Sequence, residues 1–339
     1  MRGTRAGRVR TGFAAAAVTG LLLGGCSSEF DSAAPETEEP AASATTSAAA
    51  TTWPYLGTPL AGGDAARPVL VVKIDNTSRA APQEGLGQAD LVVEELVEGG
   101  STRLAAFFQS AYPDEVGPVR SMRATDIGIV PSDGSTTIVT SGAAQRTIAR
   151  IDEAGIPFVE EGAPGFSRAA DRSVPYNLFA DLTAIEPTVT ADGDRPADYL
   201  AWGESDAYAA GTPATEFDVR FSPDHTTSWE LDGEQYVVDD AFSADGDGFS
   251  ADTVLALEVD VVDAGYLDPA GNPVPESVFE GSGSATVFHG GRAVAATWTK
   301  ASPSDAVELT TADGAVLTVP PGRTWIELVP SDTGSVEIG

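Results

Sequence analysis

The residues with the clearest chemical potential are charged and amide side chains concentrated between positions 75 and 177. Those of first interest are Asp75, Asn76, Glu98, Arg103, Arg120, Arg123, Arg172 and Asn177. A guanidinium group presents a planar pair of donors to a carboxylate or a phosphate. The whole chain has only 19 basic against 51 acidic residues. A concentration of arginines in such a chain predicts a site for an anionic or polar ligand.

Internal pairing is the alternative to ligand binding. Glu94, Glu98 and Asp126 lie close to the arginines in sequence. A buried arginine must be paired, so these carboxylates could take up the guanidinium groups in a network that fixes loops. Both interpretations stay open at the level of sequence.

Catalytic signatures are weaker than binding signatures. Glu94 or Glu95 together with Glu98 could act as the acid and base of a glycan hydrolase, which requires carboxyl groups roughly 5–10 Å apart in one cleft. The run Gly165-Phe166-Ser167-Arg168-Ala169 lacks the second glycine of a nucleophile elbow, and no histidine lies in that half of the chain. We therefore favour binding over catalysis and assign no catalytic residue.

Metal and cofactor motifs are equally sparse. The only histidines, His225 and His289, are far apart in sequence and suit zinc poorly. The acidic loop around Asp245 resembles a calcium loop in composition, but its end positions would be Ser243 and Val254. No phosphate-binding or dinucleotide fingerprint is present. We expect no metal and no cofactor.

Cys26 is the only cysteine, and it follows a short apolar leader that carries four arginines and no acidic residue. The apolar stretch from Phe13 to Leu23 is shorter than the roughly 20 residues that span a bilayer. Leu23-Gly24-Gly25-Cys26 resembles a bacterial lipobox, in which the thiol carries a lipid. We expect a signal peptide over 1–25 and a lipid anchor on Cys26 that holds the protein to the extracytoplasmic face of the cell membrane.

The strongly acidic composition limits the partners of the remaining chain. A formal net charge of −32 repels nucleic acid, so no nucleic-acid partner is expected. The expected partners are the membrane, through the lipid, and either an anionic envelope ligand or another protein. Trp229, Trp298 and Trp325 would serve a protein-docking scaffold if they were exposed, although buried core is their usual role.

Patterns along the chain predict an α+β fold. Residues 26–52 are rich in Ala, Thr, Ser, Pro and Glu, which is typical of a disordered acidic tether. Residues 53–188 are predicted to form an N-terminal α/β layered domain, because strand-like and helical runs alternate there. Residues 189–214 form a connecting region. Residues 215–339 show short strands separated by Asp, Gly and Pro, which predicts a β-rich C-terminal domain.

Longer motifs resemble the DUF3048 family of bacterial lipoproteins. In the first half they are Lys73–Asn76, Arg79–Leu86, Gln88–Asp90, Val97–Arg103 and Val116–Arg123; in the second half they are Gly290–Arg292, Thr297–Lys300, Asp313–Gly314 and Pro321–Ile326. The resemblance implies two consecutive family domains and no assigned activity. The family tends to have a histidine where this chain has Tyr176, and a tyrosine is a far weaker acid. This departure also favours binding over catalysis.

Overall fold

The computed structural model describes residues 52–191 and 193–339. Cys26, the predicted signal peptide and the predicted tether up to residue 51 lie outside these described residues. Among the residues described, no helix combines the length and the apolar character that crossing a bilayer requires.

Strands dominate the described residues. In chain order they are β1 (Val69–Asn76), β2 (Leu91–Leu96), β3 (Thr102–Phe108), β4 (Thr136–Thr140), β5 (Phe158–Glu160), β6 (Phe166–Arg168), β7 (Leu178–Ala180), β8 (Thr212–Pro213), β9 (Glu216–Ser222), β10 (His225–Asp232), β11 (Gln235–Val238), β12 (Ser250–Ala251), β13 (Thr253–Leu267), β14 (Pro273–Val278), β15 (Gly281–His289), β16 (Arg292–Lys300), β17 (Glu308–Thr311), β18 (Thr324–Pro330) and β19 (Ser335–Ile338).

The helices are few and short. The α-helices are α1 (Asp126–Ile129), α2 (Gln145–Glu153) and α3 (Leu182–Ile185), and the 3-10 helices are Leu86–Gln88, Glu98–Gly100, Glu186–Thr188 and Asp206–Ala210. Helix α2 ends before Gly155, whose φ of 72° suits the left-handed conformation after a helix. Of the expected α/β layer, the structure contains one strand–helix–strand unit, in which α2 joins the parallel strands β4 and β5.

One large mixed sheet runs through both halves of the chain. Its strand order is β17-β16-β15-β13-β18-β2-β3-β1-β4-β5, with β14 attached to β13 and β8 to β16. The expected pairing of β2 with β3 is confirmed, and it is antiparallel. Strand β18, from the C-terminal half, pairs in parallel with β2 of the N-terminal half and with β13. The boundaries at 188 and 215 stay a prediction, but the main sheet continues across them.

Both faces of this sheet are covered. One core cluster contains Val93, Phe107, Ile129 and Ile151, and so joins β2 and β3 to α1 and α2. On the other face Val92, Phe108, Phe217 and Trp229 belong to a second cluster, which includes the five-stranded sheet β12-β11-β10-β9-β19. Strands β1–β3 are therefore apolar on both sides, as their nearly continuous Val, Leu, Ile, Ala and Phe runs indicate.

The connecting region is part of this packing. Tyr199 is buried, with its ring centroid 5.3 Å from that of Phe107 and 5.6 Å from that of Tyr55. Tyr208 is also buried and donates a hydrogen bond to the Thr318 carbonyl at 3.0 Å. Residues 199–208 thus contact both halves of the chain.

Candidate functional site

Charged and polar side chains project from both faces of the sheet at one end of β1, β2 and β3. Register pairs Asp75 with Arg103 and Arg103 with Glu95, so these residues share one face, which we call the arginine face. Asn76, Thr102 and Glu94 alternate onto the other face, which we call the histidine face because His225 packs there.

Arg123 and Glu98 form a two-pronged ion pair on the arginine face. The Arg123 Nε donates to Glu98 Oε2 at 2.9 Å, and Nη2 donates to Oε1. The two side chains are only 11% and 17% exposed. Burial raises the pKa of Glu98, but the hydrogen bonds and charge of Arg123 outweigh it and bring that pKa below its usual value. This pair is the internal pairing that the sequence offered as the alternative.

Arg120 lies beside Asp75 because the segment before it runs along the end of β1. The Asp75 N–H donates to the Pro118 carbonyl at 3.0 Å, and the Arg120 N–H donates to the Lys73 carbonyl at 2.7 Å. The Arg120 Nε lies 2.9 Å from Asp75 Oδ2, and the guanidinium carbon lies 5.5 Å from the Tyr176 ring centroid. The Arg120 side chain is 23% exposed. Arg120 is more exposed than the neighbouring Arg103 and Arg123, so a solute would contact this group of arginines at the Arg120 guanidinium.

Arg103 is buried between these two arginines. Its Nη1 donates to the Ser121 carbonyl at 2.7 Å, while its Nε has no hydrogen-bond partner among the described residues. Burial and the neighbouring Arg123 and Arg120 lower the pKa of Arg103 to about 10, against the opposite effect of Glu98 and Asp75. Three guanidinium groups thus share two carboxylates, and we call these five residues the arginine cluster: Asp75, Glu98, Arg103, Arg120 and Arg123.

The other three predicted ligand-binding residues lie elsewhere. Asn76 is on the histidine face, where its Nδ2 donates to Glu94 Oε1 at 2.9 Å. Arg172 donates to the Ala80 carbonyl, and its guanidinium carbon lies 5.0 Å from the Phe179 ring centroid. Asn177 accepts a hydrogen bond from Arg168, whose main partner is Glu161. These side-chain hydrogen bonds do not join the three residues to the arginine cluster, and their part in a ligand site stays a prediction.

A buried ion triad lies deeper on the arginine face. The Lys73 Nζ donates to Glu95 Oε1 and to Asp126 Oδ1, both at 2.7 Å, and all three side chains are 0% exposed. Burial raises the pKa of Glu95 despite the opposing charge of Lys73. Asp126 also accepts the Arg123 N–H at 2.7 Å, so the triad is tied to the start of α1 below the arginine cluster.

On the histidine face a second buried carboxylate is held by a different partner. The His225 Nε2 lies 2.8 Å from Glu94 Oε1 and 2.9 Å from Thr102 Oγ1, and Thr227 Oγ1 donates to Glu94 at 3.1 Å. Burial opposes ionisation of Glu94, but the His225 hydrogen bond and charge lower its pKa. Burial likewise acts against the charged form of His225, but Glu94 outweighs it and raises the pKa of His225. The geometry favours a carboxylate and imidazolium pair.

Glu327 of β18 lies next to Glu94 in the parallel register. It accepts the Trp229 indole N–H at 2.9 Å and is fully buried. Burial and the adjacent Glu94 raise the pKa of Glu327 well above its usual value, against the effect of the indole N–H groups of Trp229 and Trp325. Burial therefore disfavours two negative charges on these adjacent carboxyl groups.

Two alternatives from the sequence are not supported by these positions. Glu98 is bound by Arg123, and its expected partner would be Glu94, which is bound by His225, or Glu95, which is bound by Lys73, so no free carboxyl pair is available for hydrolysis. Trp229, Trp298 and Trp325 are 2%, 1% and 3% exposed, so they are core residues and form no docking surface. Among the described residues no group of three or more His, Cys, Asp or Glu side chains could hold a metal.

Comparison with known families supports the resemblance seen in the sequence. The N-terminal domain model of the protein of unknown function DUF3048 matches residues 57–195, and its C-terminal domain model matches residues 217–326. The chain belongs to the DUF3048 family. "Putative lipoprotein YerB" of Bacillus subtilis (strain 168) is 28% identical over 294 residues, which are 80% of this chain and 84% of that protein. The crystal structure of YerB from Bacillus subtilis superposes with a TM-score of 0.67 at 23% identity, covering 84% of this chain and 99% of the other.

The two DUF3048 segments differ in how much of the site their sequences predict. Every residue of the arginine cluster lies in the N-terminal segment and was identified from its motif. His225 and Thr227 lie in the C-terminal segment and Glu327 directly after it, and all three were missed as partners of Glu94. Strand alternation across Glu94-Glu95 could have placed these two glutamates on opposite faces, but no sequence signal predicts that β18 pairs with β2.

The buried ion triad of this DUF3048 chain can be tested by removing its only cation. Lys73→Met leaves Glu95 and Asp126 buried without a counter-ion, and we expect a loss of about 3–5 kcal/mol in unfolding free energy. Arg168→Met is the control, because its ion pair with Glu161 is largely exposed and should contribute only about 0–1 kcal/mol. Urea denaturation measures both, and equal losses in the two variants would contradict the role given to the triad.

The His225–Glu94 pair predicts a pH window for stability. The raised pKa of His225 means that its contribution is complete below the ordinary value of 6.5 and is lost as the pH rises through the folded value. The lowered pKa of Glu94 means that its contribution is present above 4.5 and is lost as the pH falls through the folded value. Around this pair, Phe221, Thr102 and Thr227 are neutral, and burial together with Glu94 raises the pKa of the adjacent Glu327.

We therefore expect the difference in melting temperature between the parent and His225→Gln to be largest between pH 4.5 and 6.5. It should shrink as the pH rises above that window, and Glu94→Gln should show the same trend. Thermal unfolding followed by circular dichroism at half-unit pH steps measures it. A difference that does not vary with pH would show that the pair is not ionic.

Proposed function

We propose that this protein is a lipid-anchored protein of the cell envelope that binds an anionic or polar ligand through its arginine cluster. The membrane part of the proposal is supported by Cys26 within Leu23-Gly24-Gly25-Cys26 and by the similarity to a protein named as a lipoprotein. The ligand part is supported by the partly exposed Arg120 guanidinium of that cluster.

The partly exposed position of Arg120 carries the ligand proposal. Its Nε lies 2.9 Å from Asp75 Oδ2, but neither this Nε nor that of Arg103 makes a hydrogen bond with a described residue, whereas Arg123 is taken up by Glu98. Arg103 keeps its charge at neutral pH, because its pKa, although lowered, is about 10. With the buried triad included, this face has four cationic groups and four carboxyl groups, so an anion would be attracted by the accessible Arg120 guanidinium and not by a net positive charge. A carboxylate or phosphate also matches the planar donor geometry of arginine.

The lipid anchor is tested by Cys26→Ser. A serine cannot form the thioether to a lipid, so we expect the protein to move from the membrane fraction to the soluble fraction of fractionated cells. Ser27→Ala, a change at the next residue that keeps the thiol, is the matched control and should stay with the membrane. Intact-mass measurement of the parent should show the added lipid, and an unmodified Cys26 would refute the anchor.

The ligand site is tested with inorganic phosphate and succinate as probes. Arg120→Gln removes the most accessible charge of the cluster and should weaken binding about tenfold in isothermal titration calorimetry, because a hydrogen bond to a charged group is lost. Arg168→Gln, which removes an arginine already paired with Glu161 outside the cluster, should bind like the parent. If neither probe binds the parent, or if the two variants behave alike, the arginine cluster is structural.

A further inference from the structure

A cavity of about 360 Å³ lies on the histidine face, away from the arginine cluster. Its walls come from both family segments: Asn76, Gln83 and Leu86 from the first, and residues of β10, the stretch 238–243, Phe249 and Trp325 from the second. Its volume lies in the range of about 300–1,000 Å³ that small-molecule sites occupy. We propose that this cavity binds a small uncharged carbohydrate.

The wall formed by residues 239–244 is fastened to the N-terminal segment. The Gln83 N–H donates to the Phe242 carbonyl at 2.6 Å, and the Ala244 N–H donates to the Gln83 carbonyl at 2.8 Å. The Gln83 side chain is 2% exposed, and its Nε2 donates to the Asp75 carbonyl at 2.8 Å. These bonds hold the cavity open in one shape before any ligand arrives, which reduces the ordering cost of binding.

The charge of the lining excludes anions. Asp224, Asp239 and Asp240 are exposed carboxylates at the cavity, and neither lysine nor arginine is among its described lining residues. These three carboxylates outnumber His225, the one cationic residue in the described lining, so a phosphate or carboxylate would be repelled here. The cavity and the arginine cluster therefore select different chemistry.

The second N–H of His225 at the same place speaks against a simple cation. The Nε2 of His225 is taken up by Glu94 and Thr102, while Nδ1 makes no hydrogen bond with a described residue. The Trp325 ring lines the cavity, but its indole nitrogen is buried beside Glu327 and is not open to a ligand. A ligand that supplies an acceptor to the His225 N–H is therefore favoured.

A hydroxyl group can both donate a hydrogen bond to a carboxylate and accept one from an N–H group. Each sugar hydroxyl can therefore accept a hydrogen bond from His225 and donate one to an aspartate. The cavity also presents the hydroxyl groups of Thr226, Ser228 and Ser243, which can do either. A diamine, in contrast, would satisfy the carboxylates but leave the His225 N–H without an acceptor.

Apolar surface in the cavity completes the match to a sugar. The Phe249 and Trp325 rings meet at an angle of 64° with centroids 5.6 Å apart, and Leu86, Val238 and Phe242 extend this surface. A sugar ring has apolar C–H faces between its hydroxyl groups, and aromatic and aliphatic walls bury them. The mixture of apolar walls and a few directed polar groups is typical of a small-molecule site.

The experiment uses the purified chain with four probes: N-acetylglucosamine, its β1,4-linked disaccharide, putrescine and inorganic phosphate. Saturation-transfer NMR and isothermal titration calorimetry should show binding of a sugar. If putrescine binds in competition with the sugars, or binds while they do not, the cavity is a cation site and the proposal is wrong. If neither sugar binds, the proposal is also wrong.

Two variants locate the binding. Asp240→Asn should weaken sugar binding about tenfold, because one charge-assisted hydrogen bond is lost. Trp325→Phe keeps an aromatic ring but reduces the apolar surface of the cavity, and it should also weaken sugar binding. Asp232→Asn, in the exposed β10–β11 turn outside the cavity, is the matched control and should bind like the parent. Sugar binding unchanged in both cavity variants would overturn the proposal.

Arg120→Gln separates this inference from the proposed function. It should reduce phosphate binding and leave sugar binding unchanged, while Asp240→Asn should do the opposite. A failure of one site to bind its probe therefore leaves the test of the other site unaffected.

Discussion

Two consecutive glutamates on β2 are both fully buried and point in opposite directions. An ionised carboxylate inside a protein needs a counter-charge or several donors, because burial alone disfavours the charged form. Glu95 obtains Lys73 on one face, and Glu94 obtains His225, Asn76 and Thr227 on the other. The two buried glutamates of β2 therefore have their partners only when the layers on both sides of the sheet are in place. This requirement accounts for the polar groups that surround β2.

This constraint divides the polar chemistry of the molecule into two different environments. Lys73 is paired inside the sheet, so the arginines above it are left to balance Asp75 and Glu98 among themselves. On the histidine face the cationic group beside the buried carboxyls is the imidazolium of His225, and the described lining of the cavity offers its aspartates neither lysine nor arginine. A single strand thus has a cluster of arginines on one side and a cavity lined by aspartates on the other.

Local features of the fold could be predicted from sequence, whereas its long-range pairing could not. The β-branched run at β1, the antiparallel β2–β3 pair and the helix that ends before Gly155 follow from patterning and turn chemistry. The pairing of β18 with β2 joins residues more than two hundred positions apart, and periodicity contains no information on such a partner. For the same reason the arginine cluster, whose members lie within about fifty residues of one another, could be found in the sequence, while the links from Glu94 to His225 and Glu327 could not.

The position of β18 also has a consequence for the order in which the chain can fold. Strand β2 has β3 on one edge, but its other edge is filled only by residues 324–327, near the end of a 339-residue chain. An unfilled strand edge is a template for wrong pairing with other chains. During synthesis from the N-terminus, the central gap in the hydrophobic sheet of the first half stays open until residues 324–327, more than two hundred positions after β2, are available. Long-range pairing of this kind makes folding slow.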